Sequence, residues 1–592
     1  MSDNVTSNVT KSTAILVALL IVVAIGAVVW NTSFQPEPTT ITQTREITKT
    51  ATKTATVTAE ATRDYGTNLL SPSPAAPDVP SGKKDGTLII GWNDSGPENY
   101  DPWHIGYGDL YIIWGMYDTL VMMGTDGKLY PSVATGVYYD PDELSYTVTL
   151  RDDVYFHDGS LLTSKDVVAT FQRGMDNPLR RSYTVGTIQS VVAIDETTVK
   201  FTQSRTYVDF VTELASHTSI HKADRLKEFG EDIINQPPMG SGPFKFVEYV
   251  PGDKMVLERN DDYWAGPANV KEIVVRYITD PTVRALEVQK GGIHMYRMVQ
   301  NTLFKDVNSA GAQLYQNPGG YCMPHLTMPL ERPGWNDVNV RKAVNHALDR
   351  QSFIDVSQAG VGEVAQGIIP PYMGPYYDPA FKGYEYDVNK AKEYMAKSAY
   401  PNGFTIEFIS GSSLDQVLAP LLVDQLGEIG INVEVVQVDG KVKSQRTLTF
   451  DAPMFLGNWC GSTPAPGGIF EIWWHTRQSK MYGWNTFHTN YTDASVRLDQ
   501  VIDGFMAESD VAKRTPMVRE FQQIIHDNAM YAPLWHNVYY IVTNYHVQGF
   551  DLIPHQGIGQ FMLTHAPQIG FSVYIDDSGE LMKPGNNPII TP

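Results

Sequence analysis

The chain has only two cysteines in 592 residues, Cys322 and Cys460. No CxxC zinc site or iron–sulfur cluster can be built from them, and at that separation they are either one disulfide or two buried thiols. Basic residues are also scarce, 45 Lys plus Arg against 66 Asp plus Glu, which leaves a net charge of −21. So negative a surface repels phosphate backbones and anionic head groups, and nucleic acid is not expected as a partner. HExxH, GxSxG and phosphate-loop patterns are missing, and there is no internal repeat. His217 and His221 have the i, i+4 spacing of a shared metal on a helix, but nothing nearby is spaced as a third ligand, so two histidines on a solvated face is the commoner case. His475 and His536 stand singly beside tryptophans and read as packed side chains. Neither a metal nor a cofactor is expected.

Long apolar runs are absent except for one. Ala14 to Trp30, AILVALLIVVAIGAVVW, carries no charge, and as a helix it spans roughly 26 Å, just enough for a hydrocarbon core of about 30 Å. Lys11 precedes it and no Lys or Arg follows before Arg45. The positive-inside bias therefore puts residues 1–11 in the cytoplasm, makes 12–30 a membrane anchor and places the remainder outside. A cleaved signal peptide with the same apolar stretch is the rival reading, although a small-x-small cleavage site and a cysteine for lipid attachment are both missing. Residues 31–83 are rich in Thr, Ser and Pro and poor in large apolar residues, which predicts a disordered stalk. Sequons at Asn31, Asn93 and Asn490 suit an extracytoplasmic side.

What is plentiful is aromatic, with 11 Trp and 32 Tyr, and from Gly86 onward the texture is mixed α/β. In LRDDVYFHDGSLLTSKDVVATFQR, from Leu150 to Arg173, VYF ends a strand and HDGS is a turn with Gly159 free to take φ > 0. Thr163-x-x-Asp166 resembles a capping box, and Val167, Val168 and Phe171 form the buried stripe of a helix. His157 and Asp158, which suggest catalysis at first sight, decorate the turn. Gly240 to Trp264 reads as a β-hairpin turned by Pro251-Gly252-Asp253. NDVNVRKAVNHALDR puts Val340, Ala343, Val344, Ala347 and Leu348 on one helical face, with Asp337 as cap. LAPLLVDQLGEIGINVEVV is a helix closed by Gly430, then a strand of Ile431, Val433 and Val435.

These blocks, together with YDVNKAKEYMAKSAYPNGF, resemble in order and content the oligopeptide and dipeptide type of extracytoplasmic solute-binding protein that feeds ABC importers, solute-binding family five. The likeness runs from about Gly86 to about Phe571. It implies an α/β, periplasmic-binding-protein-like two-lobed fold with a third small subdomain, closing on ligand between the lobes without chemistry. By analogy, lobe one takes 84–130, 239–321 and 536–592, the small subdomain 131–238, and lobe two 322–535. Partners implied are a peptide or oligosaccharide ligand, a membrane permease and its cytoplasmic ATPase. Some oligopeptide binders join a cysteine just upstream of the NDV-x-VR helix to one in a WC pair. YCMPHLTMPLERPGWNDVNVR and GNWCGST match both, implying a bond between Cys322 and Cys460.

The sequence departs from the family where peptide binders carry an aspartate for the ligand's ammonium group. Trp459-Cys460-Gly461-Ser462-Thr463 offers the neutral Ser462 in its place, which cannot give a charge-assisted bond. No arginine for the ligand's carboxylate precedes it in FDAPMFLGNW. Sugars ask for flat aromatic faces and neutral polar groups, so an oligosaccharide is the alternative ligand. The candidate ligand-binding residues are Trp459, Gly461, Ser462, Tyr107, Trp473, Trp474 and Trp484. A tethered hydrolase with a carboxylate pair and a self-assembling surface-layer protein are the competing readings from other classes.

Overall fold

The computed structural model describes residues 66–72, 85–93, 96–97, 99–104, 112–124, 128–177, 182–215, 218–298, 301–317, 322–449, 451–460, 467–478, 492–549, 573–577, 581–582 and 589–590. All lie within the unit Asp64–Pro592. The apolar run Ala14–Trp30 and most of the Thr/Pro tract fall outside the described residues, and among those described no helix is long and apolar enough to cross a membrane.

The largest sheet has eight strands. Gly86–Trp92 lies at its centre, parallel to Val270–Tyr277 on one side and to Met295–Met298 on the other. Lys254–Arg259 and Phe244–Val250 extend it as an antiparallel hairpin, whose turn uses Gly252 at φ +73°. On the far side Tyr539–Thr543 runs antiparallel to both Met295–Met298 and Gln313–Asn317, and Ile589–Ile590 closes the edge. Buried Leu88, Ile90, Ile273 and Val275 alternate with less buried neighbours along the two central strands, the period-2 pattern of a sheet with a core face.

A separate four-stranded antiparallel sheet, Ala134–Asp140, Ser145–Leu150, Thr198–Gln203 and Ile188–Asp195, carries the helix Ser164–Asp176. Asp166 accepts hydrogen bonds from the N–H of Thr163 (2.9 Å) and of Ala223 (2.8 Å), so it caps the helix and also ties down the following segment. Val167 and Phe171 are fully buried, whereas Val168 is only half-buried. VYF contributes a single bridge, Tyr155 to Leu161, rather than a strand. His157 does more than decorate a turn: its Nε2 lies 2.9 Å from the Gly242 carbonyl and its N–H bonds Gly240. The turn is thereby fastened to the hairpin of the large sheet, and burial pushes the imidazole pKa down to about 4. The predicted stalk also ends earlier than its composition suggests. Leu70 is buried, Leu69 N–H bonds Val137 O, and Asn68 Oδ1 accepts from Val137 N–H, because two adjacent leucines and an asparagine there can add to the sheet's edge.

The third region is built on the strand Cys322–Thr327 between Phe455–Cys460 and Ala532–Pro533, with the parallel pair Phe404–Ser410 and Ile431–Gln437 nearby. Val340, Ala343, Val344, Ala347 and Leu348 are all fully buried, and Asp337 caps their helix through Asn339 N–H. Ser413–Gly427 ends three residues before Gly430, which at φ +83° turns the chain into the strand. In that strand Ile431 and Val433 are buried but Val435 is 43% exposed.

Asp118 is fully buried between Ser241 Oγ and Tyr263 OH, each donating at 2.8 Å. Burial outweighs these bonds and pushes its pKa up to about 7. A carboxyl raised in the folded state contributes stability that is complete below the unfolded pKa of about 3.9 and is lost as pH rises through 7. Asp118→Asn should therefore remove a pH-dependent loss of up to roughly 4 kcal/mol. Urea unfolding at pH 4 and pH 8.5 checks this: wild type should lose stability relative to the variant between the two, and equal slopes would refute it.

Candidate ligand-binding site

Because Gly86–Trp92, Val270–Tyr277 and Met295–Met298 are parallel, their carboxyl ends share one edge of the large sheet. Met298 pairs with Tyr540 and Asn317 with Tyr539, so the chain leaves this sheet and returns to it at that same edge. It departs after Asn317 towards Cys322 and comes back from His536 to Tyr539. The outside of the carboxyl ends, next to a change of strand order, is where open α/β sheets receive ligands. The return crossing is fixed by its own hydrogen bonds, with Trp535 Nε1 donating to Asn537 Oδ1 (2.5 Å) and Asn537 Nδ2 to Tyr539 OH (2.9 Å). Asn301, fully buried, donates to Val538 O (2.9 Å) and Gln358 Oε1 (3.3 Å), stapling the two crossings' neighbours together. Arg297 lies at this edge, its guanidinium 5.8 Å from the Trp92 ring and 5.9 Å from that of Tyr539.

The crossings connect the large sheet to the three-stranded sheet. Trp459 is paired across the ladder with Met323, Gly457 with His325, and Cys460 with Cys322. His325 is almost wholly buried, 4.8 Å from the Tyr531 ring and 6.4 Å from that of Trp473, with Nδ1 3.1 Å from Met323 O. Burial brings its pKa down to about 4, which keeps it neutral at pH 7. A Cβ at Gly457 would stand 2.5 Å from His325 Nε2, so this strand can approach only because the position opposite the imidazole is glycine.

The helix Gly467–Trp474 follows closely on that strand, and its first residues rest on the segment 205–213. A Cβ at Gly467 would lie 2.6 Å from Asp209 Oδ2, and one at Gly468 2.7 Å from Glu213 Oε1. Each carboxylate here is engaged: Asp209 by both Nη atoms of Arg514 (2.8 and 2.5 Å), Glu471 by Arg205 Nη2 (2.6 Å), and Glu213 by Tyr207 OH (2.9 Å). Burial, and after it the charge of Glu213, push the Tyr207 phenol well above its ordinary range. These groups hold elements together and are not poised as an acid–base pair. Phe470 stacks on Phe521 at 4.0 Å in the core beneath.

Of the candidates read from the sequence, Tyr107, Gly461, Ser462 and Trp484 lie outside the described residues, and for Trp459 and Cys460 only the backbone is described. Trp473 is half-buried beside His325. Trp474 is 2% exposed, 4.5 Å from Tyr531 and 5.8 Å from Phe521, the placement of a core side chain. His217 is also outside the described residues, and His221 is not on a solvated face: it is buried, with Nε2 3.0 Å from Asp101, which Arg173 also bonds at 2.7 Å. His475 and His536 are buried as well. Among the described residues no three His, Cys, Asp or Glu side chains are grouped for a metal. Sequence reading missed Arg297, Asp209, Glu213 and Arg514; only the Gly467-Gly468 pair hinted at a close approach.

The sequence profile of the bacterial extracellular solute-binding proteins, family 5, matches residues 128–481. The chain belongs to this family. Among the relatives of this family-5 protein is heme-binding protein A of Haemophilus influenzae, 26% identical over 456 residues, which cover 72% of this chain and 82% of that protein. The ABC transporter-associated periplasmic binding protein DppA of Helicobacter pylori, solved with the peptide STSA, superposes with a TM-score of 0.74 at 25% identity, over 84% of this chain and 99% of that one. AgaA of A. tumefaciens R10, solved with agropinic acid, gives the same TM-score and identity over 84% of this chain and all of that one. The family-5 solute-binding protein thus has the periplasmic-binding-protein-like α/β fold.

Proposed function

We propose that this family-5 protein is the surface-tethered capture component of an ABC importer, taking up a short oligomer and passing it to a membrane permease driven by a cytoplasmic ATPase. The observation that carries the reading is the juxtaposition, by two chain crossings, of the carboxyl-end edge of the large sheet with the strand bearing Trp459. Lobe one comprises 84–130, 239–321 and 536–592, the small subdomain 131–238, and lobe two 322–535. Residues 14–30 anchor the chain, or direct its export. Solute stabilises the closed arrangement only by its differential affinity for it. Trp459, Gly461 and Ser462 contact the solute, with Trp473, Tyr107 and Trp484 around them and Trp474 in support from the core. Cys322 and Cys460, directly opposed in the ladder, form a disulfide.

A peptide is the first reading of the ligand, supported by the STSA complex of DppA. An oligosaccharide is the second, because Ser462 replaces a carboxylate. Native mass spectrometry of the protein purified from its source, followed by denaturation, should release one non-covalent solute unchanged. A released peptide favours the first reading and a released sugar the second, while turnover of either by pure protein would refute capture. Trp459→Ala should weaken binding of the recovered solute roughly 10- to 100-fold, measured by calorimetry.

A further inference from the structure

We propose that the protein carries a second binding groove, for a linear aliphatic polyamine, between the helix Ser413–Gly427 and the parallel pair Phe404–Ser410 and Ile431–Gln437. The groove has a volume of about 570 Å³, within the range of small-ligand sites. It is separate from the capture reading, because every lining residue belongs to these three elements and none to the crossings. The helix joins two parallel strands and so runs back along them. Its inner face, Leu418, Leu422 and Leu426, shares a core with Phe408, Ile431 and Val433, and a neighbouring face forms one wall of the groove. Ser410 and Gln437 are register partners at the carboxyl ends of the strands, and Gln416, near the start of the helix, belongs to that end. Asp424 is eight residues further along the helix, roughly 12 Å away at about 1.5 Å per residue. Between the two ends the walls are aliphatic, Ala419, Pro420 and Val423 from the helix and Val435 from the strand, and both valines are exposed.

The polar groups of the groove want donors. Ser410 is 0% exposed and its Oγ has no hydrogen-bond partner, although its carbonyl accepts from Val438 N–H. A buried hydroxyl left unbonded costs free energy, and a ligand lying in the groove can supply the missing bond. Pro420, inside the helix, adds an acceptor: it has no N–H, so the Gln416 carbonyl lacks the donor four residues on that a helix ordinarily gives it. Asp424 stands in the last turn, where the helix dipole disfavours a carboxylate, and it forms no ion pair among the described residues. No Lys, Arg or His lines the groove among the described residues, and no aromatic ring does, which argues against both an anion and a stacked sugar. Ammonium groups at the two ends of an alkyl chain match this pattern. One donates to Ser410 Oγ, Gln416 O and the Gln437 amide oxygen, the other to Asp424, and the methylenes between them lie on the aliphatic walls. A chain of net charge −21 draws such a cation towards its surface.

The test is calorimetric titration of the full chain with spermidine, n-butylamine and 1,4-butanediol at about 0.15 M salt, where diffuse attraction between exposed charges is screened. Spermidine should bind at one site, butylamine roughly 10-fold more weakly, and the diol not at all. Asp424→Asn should weaken spermidine binding about 5-fold. Pro420→Ala returns an N–H to the Gln416 carbonyl and Ser410→Ala removes the unbonded hydroxyl, so both should weaken binding while raising the unfolding temperature, a pairing that a damaged fold would not give. Glu228→Gln removes an exposed carboxylate on another helix and should leave binding unchanged. Absence of spermidine binding by wild type, which needs no variant to fold, overturns the proposal. Equal binding of amine and diol overturns it, and so does a loss in Glu228→Gln as large as that in Asp424→Asn, the mark of diffuse counterion attraction. Binding unchanged by both Asp424→Asn and Pro420→Ala places the amine elsewhere and overturns it too.

Discussion

Replacing Arg514 by methionine is expected to lower stability by roughly 3–5 kcal/mol, the cost of leaving a buried carboxylate without its partner. Both side chains of the pair are nearly inaccessible, 7% for Arg514 and 6% for Asp209, and the guanidinium also lies 3.8 Å from the Phe505 ring. The Gly467 backbone also passes close to the carboxylate, since a Cβ there would lie 2.6 Å from Asp209 Oδ2. Asp209→Asn should be milder, since a neutral amide keeps much of the hydrogen bonding, but it strands the buried Arg514. The double variant Asp209→Asn/Arg514→Met should recover much of the loss, because it leaves neither charge unmatched. Urea unfolding of the four proteins gives the coupling energy. A coupling near zero would show that the pair contributes only packing. If the contact also sets the start of the helix Gly467–Trp474, the singles should bind the recovered solute more weakly while binding by the double returns towards wild type.

The contrast between this ion pair and the Val338–Ala347 helix shows what the sequence made legible. In that helix, cap and buried face are separated by three to eleven residues, so composition and period disclose them directly. The same holds for Asp166 and Gly252. Asp209 and Arg514 are 305 positions apart, and each alone resembles any surface charge. Arg297 is hidden for another reason: on a four-residue strand in which all four residues are buried, no alternation marks one face from the other. His157 and His221 look like turn or surface residues in the sequence because their partners belong to segments that arrive from elsewhere, Gly240–Gly242 and Asp101. The fold was therefore readable through local patterns and a family likeness. The site depends on contacts between distant segments, and only the tertiary structure brings them together.

Reduction of the proposed Cys322–Cys460 bond is expected to have an effect as large as loss of the ion pair. Residues directly opposite in an antiparallel ladder have Cα atoms about 4.5–5.5 Å apart, within the range of about 4.4–6.8 Å that a disulfide spans. The register itself therefore supplies the geometry, with no backbone movement needed. The bond would close residues 322–460, about two thirds of the proposed lobe two, into one covalent loop. In the chain-entropy description that constraint is worth about 5 kcal/mol, although strain and residual denatured structure commonly reduce it. Its position matters as much as its size. Cys460 follows Trp459 at the end of the strand, so opening the bond should let that end fray and weaken solute binding as well as stability. Thermal unfolding and solute titration with and without reductant, beside Cys322→Ser/Cys460→Ser, measure both effects. Wild type should lose several kcal/mol and much of its affinity on reduction, and the double variant should be indifferent to reductant. Alkylation of two free thiols in the native exported protein, or a wild type that ignores reductant, would show that the two cysteines face each other unbonded.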